Sequence, residues 1–266
     1  MMHSPMAPHA EPALRLRGIT KRFPGPSTDF LALQDIDLEV GAGEFVSILG
    51  PSGCGKSTLL YMIGGFIPAS AGSIQASGAP VAGPGRDRGV VFQDASLFPW
   101  LTVGDNIAYG LREGGMRGKQ LTDAVADMLS MVHLSGFADF YPGQLSGGMR
   151  QRVAIARTLA YQPDILLMDE PFGALDAYTR SVLQDELMHI HDRQRKAVIF
   201  VTHSVDEAVY LSDRVVVLDR SPGRVHSVVR IDLPRPRIRQ ELLRCDAYQE
   251  YVIALGTVMM DMHADA

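Results

Sequence analysis

Apolar and polar residues alternate along LRLRGI at 14–19 and DIDLEV at 35–40, the period-two pattern of strands with one buried face. Between them, FPGPSTD at 23–29 has the composition of a turn-rich loop. EFVSILG at 44–50 is a short, nearly continuous apolar run and reads as a fully buried strand. Further short strands are expected at 73–77, 88–92, 165–169, 197–202, 214–219 and 225–232. Helical periodicity fits 57–66, 119–132, 146–161, 177–193 and 205–212. Within 177–193, Leu183, Leu187 and Ile190 recur at i, i+4 and i+7 and mark one stripe to be covered.

Strand–helix alternation in the second half argues for an α/β core around a parallel sheet. The stretch 94–162 is mostly helical and falls between core strands, so it is expected as an inserted helical subdomain. The expected organisation is a disordered extension over 1–13, one large unit over 14–232 and a tail over 233–266. The core of that unit comprises 14–93 and 163–232. The tail opens proline- and arginine-rich, as LPRPRIRQ, and then turns helical.

Composition narrows the function classes. At 266 residues and 46% hydrophobic, the chain is long and apolar enough to bury a sizeable core. A net charge of −5 argues against a broad electrostatic footprint for nucleic acid. Two cysteines, Cys54 and Cys245, make no disulfide framework and suit a reducing compartment. The opening MMHSPMAPHAEP lacks the charged start and apolar run of a signal peptide. No stretch approaches the roughly 18 apolar residues needed to span a bilayer. Work at a membrane is therefore expected from outside the lipid.

The candidate chemistry lies at the ends of the expected strands. GPSGCGKST matches G-x-x-x-x-G-K-[ST] at Gly50, Gly55, Lys56 and Ser57, after a strand and before a helix. Backbone amides of Gly50, Ser52, Gly53, Cys54, Gly55 and Thr58 would cradle phosphates, with Pro51 lining the same loop. Lys56 would reach the β- and γ-phosphates, and the Ser57 hydroxyl would face Mg²⁺. Cys54, inside the loop, is expected to block nucleotide when alkylated. ILLMDE at 165–170 ends a strand in two carboxylates: Asp169 suits Mg²⁺, usually through water, and Glu170 suits an attacking water.

Gln93 ends GVVFQ and His203 ends AVIFVTH, both at the carboxyl edge where α/β folds bind ligands. On position alone, a loop glutamine and a structural histidine remain open alternatives. His189 and His191, two apart on a helix, face different ways and make no metal pair. In ASLFPWLTV, Phe98 and the single tryptophan, Trp100, are either buried under the helical segment or part of a docking surface. A second anion-binding helix start is LSGGMRQR at 145–152, with Ser146 as N-cap beside Gly147 and Gly148.

Taken together, these motifs resemble the ATP-binding subunits of ABC transporters, whose pattern covers about residues 14–230. LSGGMRQR matches the family's signature sequence. The resemblance implies a P-loop NTPase core with a parallel sheet, an N-terminal antiparallel β subdomain and an inserted α-helical subdomain. It places Phe23 at the adenine-stacking aromatic, where Tyr or Trp is commoner. Gln93 matches the Q-loop and the possible Mg²⁺-facing glutamine, Asp169 and Glu170 the Walker B pair, Asp176 the D-loop, and His203 the switch histidine.

DEPFGALDAYTR, VVFQDASLFPWLTVGDNIAYGL, THSVDEAVYLSDRVVVL and SPGRV resemble the nitrate/sulfonate/taurine importer branch, although other importers of small organic molecules share PFGALD and FPWLTV. The implied function is an ATPase that couples ATP and Mg²⁺ to import of a small solute. The implied partners are a second copy of the chain, membrane permease subunits and, indirectly, a solute-binding protein. They would meet at the cytoplasmic face of the inner membrane. In the implied head-to-tail dimer, Ser146, Gly147 and Gly148 read the other copy's nucleotide. A soluble ABC ATPase acting on nucleic acid or ribosomes is the alternative; one ATPase unit, no long coiled coil and no basic arm weigh against it.

Overall fold

The computed structural model describes residues 11–25, 28–173, 175–220 and 222–264, with side chains described as far as Met262. Most of the extension expected over 1–13 therefore lies outside the described residues. In chain order the strands are β1 (Leu14–Phe23), β2 (Phe30–Val40), β3 (Phe45–Leu49), β4 (Ala71–Ala76), β5 (Ala79–Pro80), β6 (Arg88–Val91), β7 (Ile165–Asp169), β8 (Ala197–Thr202), β9 (Arg214–Leu218) and β10 (Val225–Arg230). The helices are α1 (Lys56–Ile63), α2 (Val103–Glu113), α3 (Gly118–Met131), α4 (Gly147–Ala160), α5 (Ala177–Gln194), α6 (Val205–Leu211), α7 (Arg239–Leu242) and α8 (Asp246–Ala264).

Two sheets form. β2, β1, β4 and β5 pair antiparallel in that order, and β10, β9, β3, β8, β7 and β6 make the second sheet. In the second, β9, β3, β8, β7 and β6 run parallel while β10 closes one edge antiparallel. β3, β7 and β8 are buried at every position, as continuous apolar runs are when both faces of a parallel sheet are covered. Their pleat divides the core. Phe45, Val198 and Phe200 face one cluster, shared with α4, α5, α6 and the C-terminal helix. Val46, Ile48, Ile199 and Val201 face another, shared with α1 and the antiparallel sheet.

Several elements depart from the sequence expectation: β2 begins at Phe30 rather than 35, β5 was not expected, and α1 ends at Ile63 rather than 66. β1 runs on to Phe23 because register shifts after Leu16, Ile19 and Lys21 break the strict alternation. β10 stops at Arg230 rather than 232. α2 had no expected bounds of its own; its Asn106, Gly104 and Gly110 are weak helix formers that packing overrides. Asn106 is fully buried because its side chain accepts from Phe98 N and donates to the Phe98, Leu101 and Thr102 carbonyls. α2, α3 and α4 share a core of their own through Val103, Ile107, Leu129, Leu145 and Val153. In α5 the expected stripe of Leu183, Leu187 and Ile190 is buried.

Candidate nucleotide-binding site

β3 delivers Gly50 to the carboxyl edge of the parallel sheet, where the chain must turn without a side chain. A Cβ on Gly50 would lie 2.8 Å from both Cys54 Sγ and the Leu218 carbonyl oxygen. Gly55, at φ 99°, is the N-cap of α1 in the left-handed region that glycine tolerates. α1 has no side-chain cap and no acidic residue in its first turn. By contrast, α2, α4, α5 and α6 are capped by Thr102, Ser146, Asp176 and Ser204. The first amides of α1 thus remain for an anion, on the positive end of the helix dipole.

Lys56 is buried, and its ammonium donates to the Gly50 and Pro51 carbonyl oxygens, both at 2.9 Å. It lies 3.9 Å from Glu170 Oε1. Ser57 Oγ donates to Asp169 Oδ1 at 2.9 Å, and Asp169 is 3% exposed at the end of β7. One turn beyond Ser57, the Tyr61 hydroxyl is pushed up to about 12, first by burial and then by the Asp169 carboxylate beside it. Glu170 sits at φ 41°, held by its N–H donating to Val201 O at 3.0 Å. That conformation aims the carboxylate at His203, with Nδ1 3.1 Å from Oε2. Gln93 is exposed, yet a Cβ on Gly173 would lie 3.8 Å from both Gln93 Nε2 and Glu170 Oε2. The fold therefore brings Lys56, Ser57, Gln93, Asp169, Glu170 and His203 around one space.

The remaining loop residues divide by what they present. Ser52 and Gly53 are exposed and Thr58 is half-buried in the first turn of α1, while Pro51 is buried. Cys54 corrects the expectation of a reactive loop thiol. It has no exposed surface, and burial pushes the thiol above its ordinary value, so the loop offers only its backbone there. Phe23 ends β1 half-buried, with Lys21 Nζ 4.9 Å from its ring centroid.

The second helix start stands apart. Ser146 Oγ accepts from Met149 N at 3.3 Å, and Ser146 and Gly147 are exposed. Gly148 is buried because a Cβ there would meet Thr179 Cγ2 at 2.5 Å. Asp176 caps α5 by accepting from Thr179 N at 2.9 Å, a bond that holds its carboxyl below the usual carboxylate range. Among the described residues, no hydrogen bond joins 145–148 to 50–58.

Several ordered polar groups were missed by the sequence reading. Gln151 Nε2 donates to the Phe92 carbonyl, and Arg157 donates to the Ala95 and Ser96 carbonyls, tying the segment after Gln93 to α4. Behind His203, the buried Glu207 accepts from Thr202 Oγ1 at 2.5 Å and Gln184 Nε2 at 3.0 Å. Burial raises the Glu207 carboxyl above its ordinary value. The available signal was S-x-x-E at 204–207, a capping-box spacing. Ser204 does cap Glu207 N, but the glutamate side chain goes elsewhere.

A glycine loop around a buried lysine, on a parallel sheet with a carboxylate-ending strand beside it, defines a P-loop nucleoside triphosphatase. Residues 33–173 match the ABC transporter family, and the chain belongs to it as an ATP-binding, ATPase subunit of the importer branch. It is 46% identical over 220 residues to an aliphatic sulfonates import ATP-binding protein of Bacillus cereus, covering 83% of this chain and 86% of that one. It is 47% identical over 237 residues to a bicarbonate transport ATP-binding protein of Synechococcus elongatus, covering 88% of this chain and 36% of that one. Among solved structures, a dimeric post-hydrolysis ATP-binding cassette with ADP and Pi superposes with a TM-score of 0.75. That match has 33% identity and covers 83% of this chain and all of that one.

Proposed function

We propose that this chain is the energy-coupling subunit of an importer for a small anion of the sulfonate, taurine or nitrate type, and that it hydrolyses ATP as a head-to-tail dimer. The observation that carries the reading is a complete phosphate loop and carboxylate–histidine edge, together with a signature helix start whose serine and first glycine are exposed and, among the described residues, make no hydrogen bond to that loop. The dimeric cassette it resembles supports pairing. The cargo class follows its sulfonate and bicarbonate relatives. In this reading 14–232 is the ATPase domain, 94–162 its helical subdomain and 233–266 a C-terminal tail.

ATP enters with its phosphates on the free amides of α1. Lys56, now occupied by the Gly50 and Pro51 carbonyls, turns part of its donor capacity to the β- and γ-phosphates. Phe23 offers a ring face to adenine. The paired Ser57 hydroxyl and buried Asp169 carboxylate are the hard oxygen donors that suit Mg²⁺, with the Gln93 carbonyl nearby, and the ion would neutralise phosphate charge. His203 is bonded to Glu170. A γ-phosphate that takes the imidazole frees Glu170 Oε2 to accept a proton from the attacking water. Ser146, Gly147 and Gly148 of the other copy, with its Asp176 alongside, would close over the same phosphate.

The mechanical output would leave through the loop after Gln93. Trp100 is 70% exposed, and Phe98 packs against Tyr109 in a tilted arrangement with ring centroids 4.8 Å apart. Beside them lies a groove of about 400 Å³ lined by Phe66, Phe92, Phe98, Tyr109, Arg157 and Tyr161. Such an apolar, arginine-edged groove fits a helix of a permease subunit, itself served by a solute-binding protein. No helix among the described residues is long and apolar enough to cross a membrane. We place the chain peripherally at the cytoplasmic face of the inner membrane.

The test is Glu170→Gln. It should bind ATP, run as a dimer on size exclusion with ATP and as a monomer without it, and turn over about 100-fold or more slowly. Brisk hydrolysis by this variant, or no ATP-dependent dimer, would remove the assignment.

A further inference from the structure

The C-terminal segment makes contacts that a passive tail does not need. Residues 233–239 strap across α5 and α6. Arg235 donates to the Leu211 carbonyl and Asp213, and buried Arg237 donates to the Val209 and Tyr210 carbonyls. Arg239 lies with its guanidinium carbon 4.0 Å from the Tyr210 ring centroid and donates through Nη2 to Asp185 Oδ1 at 2.9 Å and Gln184 Oε1 at 2.8 Å.

Gln184 is the hinge of the arrangement. Its oxygen is taken by Arg239, which fixes its amide nitrogen toward Glu207 Oε1 at 3.0 Å. The other carboxylate oxygen of Glu207 accepts from Thr202 Oγ1, and that same hydroxyl oxygen accepts from Ser204 N at 3.0 Å. Thr202 and Ser204 flank His203. An unbroken chain thus runs from the strap to both neighbours of the histidine, whose own ring is more than half exposed and pairs with the Glu170 carboxylate. A carboxylate is costly to bury unless its partners are complete. Gln184 and Thr202 complete them, and Arg180 Nε approaches Glu207 Oε1 at 3.9 Å.

We propose that Glu207 is the positioning residue for His203, and that Gln184 and Arg239 lock it, so that the C-terminal strap sets ATP turnover. This rests on the role proposed above for His203. Glu207 is buried behind the histidine and acts through Thr202, fixing the backbone from which the imidazole would reach the γ-phosphate. Loss of the lock should therefore lower kcat and leave ATP binding nearly unchanged.

The donor–acceptor pattern supplies the test. In Glu207→Gln, either the Gln184 amide or the Thr202 hydroxyl loses its acceptor. The exchange Gln184→Glu with Glu207→Gln restores the hydrogen bonds among positions 184, 202, 207 and 239, with the Arg239 contact now charged; it gives up only the 3.9 Å approach of Arg180. On the full-length chain, E207Q should lose about tenfold in kcat with KM for ATP and fluorescent-nucleotide affinity within about twofold. The exchanged double variant should recover to within about threefold of the parent. Arg239→Ala should give a smaller fall in kcat of about threefold at unchanged KM. A merely structural role predicts that KM, nucleotide affinity and melting temperature fall along with kcat, without rescue by the exchange, and that result overturns the proposal. H203A, measured alongside, separates the failures. Parent-like turnover by E207Q while H203A is inactive removes the positioning role alone. Parent-like turnover by H203A removes both it and the role given to the histidine.

Discussion

The two candidate anion-binding helix starts of this chain, at 50–58 and at 145–148, share glycines at a helix N-terminus but differ in what completes them. The first is self-contained. Its lysine is buried and held by two carbonyls of its own loop, its serine is bonded to a buried aspartate, and its helix carries no cap that would compete for phosphate. The second is a surface feature. Its serine caps its own helix, its one buried glycine is buried for packing against Thr179, and Arg150 of its first turn is committed to the Leu145 carbonyl. A single helix N-terminus contributes about 0.3–1 kcal/mol toward an anion, and up to ~2 when partly buried. The first start has a cation and a metal-type oxygen pair besides; the second has only its dipole and donors. The difference teaches that equal-looking motifs need not be equally complete; under the proposed head-to-tail pairing the second is half of a site.

The largest expected break comes at the first site. Lys56→Ala removes the only buried ammonium described in the loop and should weaken ATP binding by about 100-fold or more, with hydrolysis lost. Equilibrium binding of a fluorescent ATP analogue reads this directly. Near-normal affinity would mean that the amides of α1 suffice alone, and the contrast between the two starts would shrink.

The next test separates them. Ser146→Arg fills the exposed helix start and removes its cap, at a cost of about 1 kcal/mol in stability. Binding to the monomer should stay within about twofold, while hydrolysis falls by about 100-fold. Mixing sharpens this. Lys56→Ala and Ser146→Arg chains are each inactive alone, but a mixed dimer holds one site with both an intact loop and an intact signature start. Equal amounts should restore about a quarter of parental turnover, since half the dimers are mixed and each has one of two sites. Silence of the mixture, with mixed dimers demonstrated, would place the signature start in its own chain's site.

How much of this was legible in the sequence follows from where the physics is written. The phosphate loop and the buried strands β3, β7 and β8 were readable because their function lies in contiguous residues: glycines at fixed spacing and unbroken apolar runs. The convergence of Asp169, Glu170, Gln93 and His203 was readable as a set of strand ends, because a parallel sheet brings all its carboxyl ends to one edge. What stayed hidden depends on register and helix packing. Nothing local says that Gln184 on α5 meets Glu207 on α6, or that Arg239 reaches both helices. The sequence reading did not single out Asn106, a weak helix former, yet burial and four hydrogen bonds make it the clamp of the Phe98–Thr102 loop. Cys54 was expected to block nucleotide when alkylated because it lies in the loop; only the fold shows its sulfur fully buried, beside Gly50.

That inward turn gives the smallest expected effect and the finest test of the first site's construction. If the loop works only through its outward backbone, a thiol reagent should not find Cys54 in the folded chain. The thiol has no exposed surface, and burial lifts it away from the reactive thiolate form. Cys245 is half-buried in the tail. Iodoacetamide under native conditions should therefore label Cys245 alone, leave ATP turnover within about twofold, and give the same labelling with or without ATP. Denaturation should expose both thiols. Peptide mass spectrometry distinguishes the two adducts. An adduct on Cys54 that forms in the native chain, is prevented by ATP and abolishes turnover would mean that the loop opens on its own. The first helix start would then be no more preformed than the second, and the contrast between a whole site and a half site would rest on Lys56 and the Ser57–Asp169 pair alone.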